Sequence, residues 1–103
     1  MVIYGVEKLT LVFGNMSLPF KETISGEKRI RVFTEETDSG EFKWHRDRVD
    51  RLVKVLEGNG WQLQLDNELP QILKEGEEYS IPYGVYHRVI KGKGNLKVEI
   101  TFL

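Results

Sequence analysis

Apolar and polar residues alternate along much of this chain with a period of two. Leu96, Val98, Ile100 and Phe102 fall on one face of a segment whose other face carries Lys97, Glu99 and Thr101. Successive side chains of extended backbone point to opposite sides, so this pattern predicts a half-buried strand over 96–102. Leu9, Leu11 and Phe13 repeat it against Lys8 and Thr10, and Ile30 and Val32 are interleaved with Arg29 and Arg31. Trp61, Leu63 and Leu65 alternate with Gln62 and Gln64, which places the glutamines on the solvent side. Turn chemistry recurs between these segments, at Gly26-Glu27, Asp38-Ser39-Gly40, Gly58-Asn59-Gly60, Glu75-Gly76 and 91–95. Asn59-Gly60, flanked by VKVL and WQLQL, predicts a two-residue hairpin. Many short strands at this spacing predict a sandwich or barrel.

One segment reads two ways. Val49, Leu52, Val53 and Leu56 sit at i, i+3, i+4 and i+7, the stripe of an amphipathic helix with Gly58 as its stop. Read as strand, His45, Asp47, Val49, Arg51, Val53 and Val55 share one face and Trp44, Arg46, Arg48, Asp50, Leu52, Lys54 and Leu56 take the other. Periodicity alone does not choose between them.

The 103 residues make one domain, 1–103, whose core is small enough that a homodimer is a natural supplement. Fifteen basic and sixteen acidic residues leave a net charge of −1, and the signs are mixed even in the cluster 46–51, so nucleic acid is not an expected partner. No apolar run approaches the ~20 residues that cross a bilayer, so no membrane partner is expected either. The first residues reach Glu7 and Lys8 without a basic n-region, which sets the cytoplasm as the expected compartment. With no cysteine, a metal site must draw on His, Asp or Glu.

Both histidines of the chain lie in motif-like surroundings. Gly76, five residues, Pro82-Tyr83-Gly84, two residues and His87 resemble the second cupin motif, with Lys91 where the family has Asn. The physics suits the pattern: Gly76 turns the chain into a strand, Pro82 ends its pairing, Gly84 allows a tight turn and His87 begins the next strand. Upstream, Gly40 leads to His45-Arg46-Asp47, with three residues between Asp47 and Arg51 and Gly58 seven positions beyond Arg51. This resembles the first cupin motif, with His45 at its first histidine, Asp47 at its second and Arg51 at its glutamate. Together the two cover roughly 40–100, and the WHRD run is similar to uncharacterised cupins of phages and marine bacteria. The resemblance implies an all-β, double-stranded β-helix or jelly-roll barrel. That settles 41–57 as extended.

On a strand, His45 and Asp47 project together, and a facing His87 completes a His-x-Asp…His set. Two imidazoles and a carboxylate suit a divalent metal such as Fe, Zn, Ni or Mn, with ligands at about 2.0–2.2 Å. The metal is expected to require neutral imidazoles and so to weaken as pH falls through roughly 6.5. Arg51 replaces a carboxylate with a permanent cation, which either pairs with Asp47 or anchors an anionic small-molecule ligand. Tyr86, beside His87, is a second candidate ligand contact. The expected function is a cupin that binds a divalent metal, a small anionic ligand, or both, inside its barrel. A metal-free binding or structural module and a metal-dependent dioxygenase or isomerase are the alternatives.

Overall fold

A computed structural model describes residues 21–26, 28–36 and 40–103 of the chain. The strand expected over 9–13 and the turn residues Glu27, Asp38 and Ser39 lie outside them. Among the described residues there are eight strands: β1 (Lys21–Ser25), β2 (Lys28–Phe33), β3 (Arg51–Asn59), β4 (Gln62–Leu65), β5 (Gln71–Ile72), β6 (Glu78–Ile81), β7 (His87–Ile90) and β8 (Lys93–Phe102). They form a five-stranded sheet in the order β1-β2-β8-β3-β6 and a three-stranded sheet in the order β5-β4-β7. These strands pair antiparallel with their neighbours. A single 3-10 turn, Gly40–Phe42, stands between β2 and β3. No described helix is long and apolar enough to cross a membrane.

The closing strand forms where its alternation places it. Leu96, Val98 and Ile100 are buried on one face of β8, and the strand pairs with β2 on one edge and β3 on the other. Val53 and Val55 of the neighbouring β3 lie beside them in the same sheet, and Trp61 and Leu63 at β4 join the same core from the other sheet. Gln62 and Gln64 alternate with Leu63 and are less buried, as the pattern requires.

Residues 45–56 contain no helix. Strand periodicity wins because Arg51, Val53 and Val55 are all buried on the inner face of β3 while Lys54, Leu56 and Glu57 are exposed. The expected extension over 41–57 is corrected in detail. The paired strand begins only at Arg51, and residues 43–50 are irregular apart from one bridge between His45 and His87. The hairpin expected at Asn59-Gly60 is also corrected. β3 and β4 belong to different sheets, so this glycine-rich stretch is a corner between layers. Register shifts after Val55 and Glu57 bend β3 into that corner. Gly92 packs against it so closely that a Cβ there would collide with the backbone of Asn59, Gly60 and Trp61.

Candidate functional site

Irregular residues 43–50 are fixed by hydrogen bonds to the turn that follows β6. His45 and His87 exchange both backbone bonds, His45 N–H to His87 O at 3.0 Å and His87 N–H to His45 O at 2.8 Å. Gly84 N–H donates to Asp47 O at 2.8 Å, and Tyr83 N–H donates to the Asp50 carboxylate at 2.7 Å. Gly84 has φ 75°, a conformation that costs glycine little and lets the turn close. The sequence elements that resemble the two cupin motifs are thus laced together, and their histidines stand side by side with ring centroids 4.2 Å apart.

Each imidazole is oriented by its own backbone. His45 Nδ1 lies 2.7 Å from Lys43 O, and His87 Nδ1 lies 2.8 Å from Val85 O. A carbonyl can only accept, so each Nδ1 carries a proton and each ring turns its Nε2 inward, as a lone pair whenever the ring is neutral. His87 is 1% exposed, and its Nε2 has no hydrogen-bond partner among the described residues. His45 Nε2 lies 3.0 Å from Glu41 Oε1. Asp47 Oδ2 stands 3.4 Å from His87 Nε2 and 3.9 Å from His45 Nε2. Nitrogen and carboxylate donors therefore converge on one centre, where a proton on His45 or a shared cation satisfies them.

The residues fit a metal. Ligand atoms of Glu41, His45 and His87 lie within 4.8 Å of one another. Donors sharing one ion at ~2.1 Å stand about 3.0–3.4 Å apart; Glu41 and His45 are already 3.0 Å apart, and the full set, within 4.8 Å, has to draw together around an ion. Glu41 was not singled out by the spacing argument. It sits on the 3-10 turn, four residues before His45, and the only sequence signal for it is that i, i+4 interval.

Arg51 is 5% exposed and ion-paired through Nη2 with Asp47, as the sequence allowed. The pair neutralises a cation that would otherwise oppose a metal, and it draws Asp47 partly away from the histidines. Arg51 Nε is buried without a hydrogen-bond partner, an omission that costs about 1–3 kcal/mol. Arg51, Glu41 and His87 line a cavity of about 40 Å³ otherwise walled mainly by apolar side chains. Arg31 lines it too, held by Glu22 at 2.6 Å. Tyr86 is placed elsewhere: it is 43% exposed, with the Arg46 guanidinium 5.2 Å from its ring, and it is not among the cavity-lining residues.

The charges pull the two histidines apart. The hydrogen bond to Glu41 raises His45 above 6.5, overcoming burial. Burial lowers His87 below 6.5, helped by the charges of His45 and Arg51. Burial tends to raise Glu41, but the hydrogen bond and charge of His45, with Arg51 and Arg31, hold it below 4.5.

No protein-family model matches the chain, and no curated protein matches it. Solved structures do. An RmlC-like cupin from Shewanella frigidimarina superposes with a TM-score of 0.68 at 16% identity, covering 95% of this chain and 86% of that one. An RmlC-like cupin from Methanocaldococcus jannaschii, described as a double-stranded β-helix, gives 0.62 at 16% identity over 94% and 90%. The iron(II) form of HppE gives 0.72 at 14% identity, covering all of this chain and 60% of that one. The chain has the cupin fold, the double-stranded β-helix that its two motif-like segments implied.

Proposed function

We propose that this cupin-fold chain binds one divalent metal ion through His45, His87 and Glu41, beside a cavity that takes a small anionic ligand. The observation that carries this reading is the buried, unpartnered Nε2 of His87, oriented by its Nδ1 toward the same point as His45 Nε2 and the Glu41 carboxylate. Hydrogen bonds from metal-ligating histidines to backbone carbonyls fix ring orientation in this way. Imidazole and carboxylate donors suit Fe, Zn, Ni and Mn alike. That one fold neighbour is an iron(II) protein supports iron within this group. A bound ion supplies Lewis acidity toward an oxygen of the ligand. The chain itself orients the imidazoles, keeps Asp47 against Arg51, and shields the centre beneath apolar walls.

A metal-free ligand-binding reading draws on a different observation, the cation of Arg51 close to the histidines. Calorimetric titration of chelator-stripped protein with Mn(II), Fe(II), Ni(II) and Zn(II) separates the two. The metal reading expects one ion per chain, loss of uptake in His87→Ala with an unchanged β-type circular dichroism spectrum, and about 100-fold weaker binding in Glu41→Gln. Asp47→Asn is expected to weaken binding less than Glu41→Gln does. Absence of uptake for all four ions leaves the metal-free reading.

A further inference from the structure

Arg51 is a guanidinium with work left over. One end is occupied by Asp47, yet its Nε is buried and unpartnered while the side chain lines the cavity. The cavity offers about 40 Å³ to the centres of water-sized molecules, room for about three such positions. Its other walls include Val53, Leu63, Ile81, Val98 and Ile100. A site of this kind accepts a ligand of a few non-hydrogen atoms, charged at one end and aliphatic at the other.

The lining sets the kind of ligand. Arg51 already pairs with Asp47 through Nη2, and its buried Nε–H still needs an acceptor, which a charged oxygen satisfies best. An ammonium group is repelled by the same guanidinium. A dianion such as phosphate would bury a second charge among the apolar walls, whereas a monoanion with an aliphatic chain matches both the donor and the walls.

We propose that the cavity binds a short-chain aliphatic monocarboxylate, its head held by the Arg51 guanidinium and its chain lodged among Val53, Ile81 and Ile100. The proposal deepens the anionic-ligand part of the functional reading, and the Arg51 contact stands on its own geometry. Guanidinium suits the task because its planar donors match a carboxylate, which a lysine ammonium cannot reproduce.

The test compares propionate with its neutral isostere propionamide, by calorimetry on the unmodified chain loaded with Co(II) and on the metal-free chain. The loaded chain is expected to bind propionate at least ~10-fold more tightly than propionamide, and Arg51→Lys is expected to remove most of that preference while Co(II) uptake persists. Equal binding of the two overturns the proposal without any variant, so a misfolded Arg51→Lys does not obscure the answer. A propionate preference that survives Arg51→Lys also overturns it, because the anion then sits on the metal alone. If Co(II) is not taken up, the functional reading fails. An Arg51-dependent preference for propionate in the metal-free chain then still supports the site, and its absence overturns both.

Discussion

His45 and His87 share a centre but not an environment. His45 faces the Glu41 carboxylate, so its protonated form is favoured, whereas His87 is buried beside two other cationic groups, so its neutral form is favoured. In the metal-free chain, imidazole carbon–proton NMR signals followed against pH are expected to give two midpoints, His45 above 6.5 and His87 below it. A shared midpoint would remove the electrostatic asymmetry on which this rests. The linkage signs oppose. His45 contributes stability fully present below about 6.5 and lost as pH rises through its folded value; His87 contributes stability present above about 6.5 and lost as pH falls through its folded value. Titration of the rings is therefore a cleaner readout than melting. Metal must displace the His45 proton, so uptake is expected to begin weakening at a higher pH than the 6.5 that unperturbed imidazole suggests. Glu41→Gln is expected to lower the His45 midpoint and close much of this gap.

Strands were legible in the sequence where one face is apolar and the other polar without interruption. β8 satisfies this from Leu96 to Ile100, where burial and local alternation agree. β3 does not, because Arg51 lies on its inner face and Leu52 and Leu56 on its outer one, so the helix–strand ambiguity there was resolved by the motif resemblance and not by periodicity. Residues 43–50 defeat the same method because they are held by one isolated bridge and scattered hydrogen bonds to residues 83–87, and no periodicity records such contacts. Asn-Gly at 59–60 misled for a related reason. The local signal specifies a sharp change of direction, while pairing partners are decided by the β7–β8 segment that packs against the corner. Gly92 is where that packing is least forgiving. Gly92→Ala is expected to cost at least ~2 kcal/mol, because the obstruction is backbone of three residues. In thermal unfolding this corresponds to about 8–16 °C. An unchanged melting temperature would mean that the corner yields more readily than its packing implies.

At the scale of the whole molecule, the barrel brings together three pieces that are remote or irregular in the sequence. Glu41 comes from a one-turn 3-10 helix, His45 and Asp47 from an irregular segment, and His87 from the start of β7. Motif-like spacing exposed both histidines, Asp47 and Arg51, since those follow fixed intervals from Gly40, Gly58 and Gly84. It did not expose Glu41, whose place depends on how the 3-10 turn is set against β7. Arg51 was legible as an inward residue only once β3 was accepted as a strand, and the pairing with Asp47 follows from the four-residue interval. The central claim is that these pieces form one divalent metal centre, and anomalous scattering tests it most directly. Crystals grown with Co(II) and measured at the cobalt absorption edge are expected to give one strong peak per chain, about 2.0–2.2 Å from His45 Nε2, His87 Nε2 and a Glu41 oxygen. A peak bound elsewhere, or none at saturating Co(II), would contradict it.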